Sequence, residues 1–69
     1  MEKTVIVKGM TCEHCAGRVK NELEKIDGVL SADVSADADN AIIQLEEEVD
    51  YGLLRKAVEK AGYNFVEIN

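Results

Sequence analysis

Sixty-nine residues with 46% hydrophobic content describe one small domain, residues 1–69, stabilised by a single core. The formal charge of −6 at pH 7 argues against nucleic acid and anionic membrane surfaces as partners. No apolar run approaches the ~20 residues of a membrane span, so no stable membrane association is expected.

The N-terminus lacks the basic region and apolar core of a secretion signal, which makes a cytoplasmic location the expectation. Structural disulfides are rare in that reducing compartment. A close cysteine pair there is more often metal-binding or catalytic.

In chain order, Thr4 to Lys8 sets Val5 and Val7 against Thr4, Ile6 and Lys8, the alternation of a strand with one face inward. Gly9-Met10-Thr11-Cys12-Glu13-His14-Cys15 follows and holds both cysteines and the single histidine. From Cys15 the apolar positions become Ala16, Val19, Leu23 and Ile26, which is helical spacing. Thr11 or Cys12 is the expected N-cap, placing Cys15 in the first helical turn. There, unpaired N–H groups and the positive end of the helix dipole favour thiolate, so Cys15 is expected to be the more acidic sulfur. Gly28, after Asp27, is the expected left-handed end of this helix.

Val29 to Ala36 alternates again, with Ala32 and Val34 on one face. Asp37-Ala38-Asp39-Asn40 has turn chemistry, and Ala41, Ile43 and Leu45 alternate beyond it, which predicts a hairpin. Asp50 is placed to cap a second helix with Leu53, Leu54, Ala57, Val58 and Ala61 on its apolar side, closed by Gly62. Tyr63 to Ile68 reads as the last strand.

The order is therefore β-α-β-β-α-β. Two βαβ units joined by a hairpin give an α+β, ferredoxin-like sandwich, a four-stranded antiparallel sheet with both helices on one face. Ile6 and Ile42 then point to the open face as isolated exposed apolar residues. Because each element reverses direction, the cysteine loop, the Asp37–Asn40 turn and Tyr63 share one end. Asp27-Gly28 and the acidic Glu46-Glu47-Glu48 segment share the other.

A single C-x-x-C is shared by zinc sites, redox enzymes and haem attachment. A structural zinc site needs four ligands, and a second pair is missing here. Haem attachment needs histidine directly after the second cysteine, but Ala16 follows Cys15. A thiol-disulfide oxidoreductase stays as a second reading, since Cys15 would be activated in the same way. The short chain, the element order and the absence of proline weigh against it. The first reading is an ion held by two soft sulfurs, and Cu(I) fits that donor set.

Gly9-Met10-Thr11-Cys12-x-x-Cys15 after a first strand, in a chain of this order and length, resembles the heavy-metal-associated domain family. The Glu13-His14 pair and Gly62-Tyr63 before the last strand are similar to the bacterial copper chaperones. The resemblance implies a non-enzymatic Cu(I) carrier with Cys12 and Cys15 as ligands. Its partners would be the metal-binding domain of a copper-transporting P-type ATPase or a copper-responsive regulator. A monomer is expected, with a copper-bridged dimer as the alternative state. The same domain also occurs as an amino-terminal module of transporting ATPases and as mercury-binding proteins. Zinc- and cadmium-transporting relatives often carry an acidic residue at the position of Thr11, so the neutral Thr11 points to copper. Met10 is expected in the core beneath the loop, with sulfur ligation as the alternative. His14 is expected to face solvent or a partner, with ligation of the ion as the alternative, and Tyr63 to stand near the sulfurs either as a half-buried aromatic or as a second layer around the metal.

Overall fold

Six elements carry the chain in the computed structural model, which describes residues 1–69. They are β1 (Glu2–Lys8), α1 (Glu13–Glu24), β2 (Val29–Ser35), β3 (Asn40–Leu45), α2 (Tyr51–Lys60) and β4 (Asn64–Ile68). The order is the β-α-β-β-α-β of the ferredoxin-like fold, and every strand pairing is antiparallel. The strand order β2-β3-β1-β4 puts β1 at the centre, paired with β3 on one side and β4 on the other. β1 and β2 run parallel with β3 between them, and β3 and β4 run parallel with β1 between them, so neither connection can be a tight turn and each crosses as a helix.

Alternation decides which face of the sheet is covered. Val5, Val7, Ala41, Ile43 and Leu45 are buried, together with Ala32 of β2. Ala16, Val19 and Leu23 of α1 and Leu54, Ala57 and Val58 of α2 close over them in one continuous cluster. Ile6 and Ile42, one residue out of step, lie on the other face and are only half-buried. At one end of the sheet, Glu46 N donates to Gly28 O at 2.8 Å. At the other, Val7 N donates to Asp39 O at 2.9 Å and the Lys8 ammonium pairs with the Asp39 carboxylate at 3.0 Å. The two sets of loops are therefore segregated to opposite ends, as topology requires.

Three local expectations need correction. Leu53 is not part of the core. It is 48% exposed, whereas its neighbour Leu54 is fully buried. Two consecutive leucines are 100° apart on a helix, and here the core takes Leu54 and leaves Leu53 to solvent. The core position that completes this region is Val49, just before the helix. Secondly, α1 does not run to Gly28. It ends at Glu24, and Lys25 N→Glu22 O (3.3 Å) and Ile26 N→Leu23 O (3.2 Å) tighten the chain into turns beyond it. Gly28 does adopt the left-handed conformation, at φ +99°, but in the turn that enters β2. A Cβ there would stand 2.9 Å from Val49 Cγ2, so close packing and backbone both call for glycine. Thirdly, β1 begins two residues earlier than the alternation indicates, at Glu2, whose partner is Gln44.

The second helix follows its sequence signals closely. Asp50 is its N-cap and its carboxylate accepts from Gly52 N at 2.8 Å. At the other end, Tyr63 N donates to Val58 O (3.2 Å) and Gly62 N to Glu59 O (3.0 Å). This pair of bonds is the Schellman ending, with Gly62 in the left-handed position. The ending also fixes where Tyr63 leaves the helix, and that matters for the site.

Candidate metal centre

The loop between β1 and α1 brings two sulfurs together by simple means. Gly9, at φ +101°, turns the chain out of the strand. Met10 then dives back into the core and is only 6% exposed, which anchors the base of the loop. Cys12 takes an extended conformation as N-cap of α1, without a capping bond from its own side chain. Its carbonyl accepts instead from Cys15 N (3.0 Å) and Ala16 N (3.2 Å), closing the first turn around the C-x-x-C segment. Cys12 is exposed and Cys15 half-buried, and both are free thiols.

The Cys12 and Cys15 sulfurs lie 3.8 Å apart. A thiolate–metal bond of about 2.3 Å, as for zinc, lets two sulfurs share one ion at any separation up to roughly 4.6 Å. The observed spacing therefore fits a bent two-sulfur ion as it stands. Opening the loop by roughly 0.8 Å makes it linear. The donor set suits a soft, low-coordinate ion. No group of three or more His, Cys, Asp or Glu side chains comes together anywhere in the chain, so His14 does not complete a third ligand position. His14 is exposed on the first turn of α1. Met10, buried beneath the loop, is placed as a packing residue.

Charge on the pair is controlled by its neighbours. The Cys15 thiol is lowered from 9.0 to about 6, first by the Tyr63 hydroxyl, then by the backbone and side chain of Thr11. Partial burial opposes the shift and Cys12 adds a smaller lowering. The Thr11 hydroxyl is 3.6 Å from the Cys15 sulfur. Thr11 and Cys12 are the side chains in hydrogen-bonding geometry with this sulfur; the Tyr63 hydroxyl makes no such bond in this conformation but favours the charged form of the sulfur. Tyr63 shows the reciprocal effect. Its own hydroxyl is pushed up, chiefly by the Cys15 side chain, as expected of a phenol beside a thiolate. The acidity of Cys15 agrees with the expectation from the helix N-terminus, but its main cause is different. A side chain from the far end of the chain supplies it, and only the topology brings that residue here.

Tyr63 half-buries its ring against the core and covers Gly9, where a side chain would meet Tyr63 Cδ1 at 3.6 Å. The Schellman ending of α2 and the turn at Gly9 therefore support the same contact from two directions.

Tyr63→Phe should remove the largest of these effects and move the Cys15 thiol back toward its ordinary value. The measurement is the thiolate absorbance of the reduced, metal-free protein as a function of pH. A midpoint that stays near 6 in the variant would show that the phenol does not act on the sulfur. The same shift couples to folding. Between about 9 and 6 the unfolded chain binds the proton that the native chain has released. This contribution to stability is therefore full above 9 and is lost as pH falls through 6, and Tyr63→Phe should shrink it.

The fold, the loop and its sulfurs agree with what comparison with known proteins finds. The heavy-metal-associated domain profile matches residues 4–64, and the chain belongs to the heavy-metal-associated domain family. It is 34% identical over 64 residues to the copper chaperone CopZ of Staphylococcus epidermidis, covering 91% of this chain and 94% of that protein. It is 39% identical over 57 residues to copper-transporting ATPase 2 of Rhizobium meliloti, where it matches 83% of this chain but 7% of the ATPase. Among solved structures, a CopZ metallochaperone superposes with a TM-score of 0.87 at 34% identity, over 96% of this chain and 100% of that one. The N-terminal domain of ZntA in its Zn(II) form superposes with a TM-score of 0.83 at 25% identity, over 94% and 88% respectively.

Proposed function

We propose that this chain is a copper chaperone that carries Cu(I) between Cys12 and Cys15. It would deliver the ion to the metal-binding domain of a copper-transporting P-type ATPase or to a copper-responsive regulator. The observation that carries the reading is the pair of exposed-loop sulfurs 3.8 Å apart, with no third ligand group beside them. The names of the relatives agree with it, since a copper chaperone matches over nearly its whole length.

Cu(I) is cargo in this reading, and transfer is ligand exchange. A thiolate of the acceptor forms a new bond to the two-coordinate ion, giving a three-sulfur intermediate. One original sulfur then leaves and takes up a proton or remains as thiolate. An incoming ligand can attack before the old one departs, so tight holding does not impose slow release. The raised acidity of Cys15 serves both holding and release, because it presents a thiolate to the ion at neutral pH and makes a good leaving group. No bond of an organic substrate is made or broken, so the protein is not an enzyme in this reading. A reducing compartment, the cytoplasm, keeps both thiols available.

A second reading is favoured by the match to the transporting ATPase, in which an equivalent segment is a small part of a longer chain. Such a module would bind the same ion with the same two sulfurs and receive rather than deliver it. The zinc-bound structural relative makes metal preference the decisive test. Reduced protein should take Cu(I) from chelators that strip Zn(II) from it, with one ion bound per chain. Equal or stronger retention of Zn(II) would refute the copper reading.

A further inference from the structure

The helical layer carries a groove of about 420 Å³ that is lined by none of the residues of the cysteine loop. On α2 its wall is Leu53, Lys56, Ala57 and Lys60, spaced i, i+3, i+4 and i+7 along one face. This stripe is the one a helix presents to another helix, yet three of its four residues face solvent. Leu53 is the apolar residue that the core leaves 48% exposed, and Ile26 beyond the end of α1 is half-buried opposite it. The floor is therefore apolar.

The rim is basic, in a chain whose net charge is −6. Lys25, Lys56 and Lys60 face only two acids, Glu22 and Asp27, within the lining. Glu22 already sits between two of the lysines, with Lys25 Nζ at 3.2 Å and Lys60 Nζ at 3.8 Å. The groove thus holds one carboxylate in a lysine cradle, and Lys56 makes no ion pair at all.

We propose that this groove docks an acidic amphipathic helical segment of a partner protein. Its apolar side chains would cover Ile26, Leu53 and Ala57, while its carboxylates meet Lys56 and the outer faces of Lys25 and Lys60. Charge complementarity selects this occupant. A nucleic acid or a small anion would leave the apolar floor of Ile26, Leu53 and Ala57 uncovered. A second copy of the chain brings its whole charge of −6 to the contact, whereas a single segment brings only a few carboxylates to the lysines. A helix laid in this valley adds a third helix to the layer, a common way of binding an amphipathic peptide. Binding here does not depend on the metal. A partner held at this groove would raise the effective concentration of whatever it presents to the sulfurs.

The test uses the metal-free, reduced chain and a synthetic helix with leucine at i, i+3, i+4 and i+7 and glutamate on its flanks, followed by amide NMR shifts. Saturable shifts confined to residues 22–27 and 53–60 are expected. Leu53→Ala and Lys56→Gln should each weaken the peptide by about three- to tenfold, as exposed apolar and ionic contacts do. Both side chains are exposed, so thermal melts should be unchanged, and Lys8→Gln, outside the groove, should leave affinity unaltered. The same helix with lysine replacing glutamate should not bind. Absence of saturable shifts would overturn the proposal, as would equal sensitivity to Lys8→Gln. Groove shifts that depend on protein concentration without peptide would overturn it too, assigning the surface to a second copy instead.

Discussion

Replacing both cysteines with serine is expected to abolish Cu(I) binding while leaving the circular dichroism of the free protein unchanged. Binding is lost because serine hydroxyls are hard, weakly acidic donors, and nothing else in the chain can close on a soft ion. His14 is exposed and has no cluster of ligating side chains around it, and the Met10 sulfur is sealed in the core. The fold survives because the loop is held by other means. The Cys12 carbonyl, not its side chain, accepts the first helical hydrogen bonds. Met10 anchors the loop from below, and Cys12 itself is exposed. Each single serine variant should lose the chelate as well, retaining at most a one-sulfur contact. Tight Cu(I) binding by the double variant without added thiols would remove the two-sulfur site from the account. Loss of its helical signal would instead show that the sulfurs belong to the fold.

Leu23→Ala should have the largest effect on stability, with metal affinity unchanged. Leu23 is fully buried on the face of α1 that lies over the sheet. Truncation removes three carbons from a packed site that can collapse only partly, typically costing about 2–5 kcal/mol. A chain of this length has roughly 3–10 kcal/mol in total, so the variant should be near the limit of folding at ambient temperature. Leu53→Ala supplies the contrast, since an exposed leucine away from the core should change stability by no more than about 0.5 kcal/mol. Denaturant midpoints of the two variants report the difference directly. Similar midpoints would mean that the helix faces are wrongly assigned.

How much of this was legible in the sequence depends on how local each signal is. The strand faces were readable because Val5-Ile6-Val7 and Ala41-Ile42-Ile43 carry the period of two without interruption, and burial follows that period. The cap at Asp50 and the closure at Gly62 were readable because both are settled within a few residues. Leu53 was misassigned because it stands next to Leu54, and a run of apolar residues does not say which one the sheet reaches. The same ambiguity hid Val49, which lies before its helix and is buried by the fold of the chain around Gly28.

The candidate site divides along the same line. Cys12, Cys15 and their spacing are contiguous and carry their chemistry openly. That Tyr63 stands at the sulfurs followed from the alternation of element directions. Its rank as the leading cause of Cys15 acidity did not, because that depends on where a hydroxyl at the end of a long ring comes to rest. Thr11 was noted as a neutral residue before the cysteines, but its 3.6 Å contact to the Cys15 sulfur needed the folded loop. The groove between the helices left only scattered signs, namely three lysines and a leucine in two separate segments.

Transfer of Cu(I) to a two-cysteine acceptor domain, followed by stopped flow, tests the central claim that the ion is held and handed on at the cysteine end. Glu46, Glu47 and Glu48 lie at the opposite end, beside Gly28. Changing all three to glutamine should alter the rate only weakly, because ~0.15 M salt screens charge over that distance. Tyr63→Phe should change the rate more, since it alters the thiolate that leaves, and His14→Ala should do so through the docking surface. Neither should eliminate binding. A larger effect from the three glutamines than from His14→Ala and Tyr63→Phe would contradict transfer at the cysteine end.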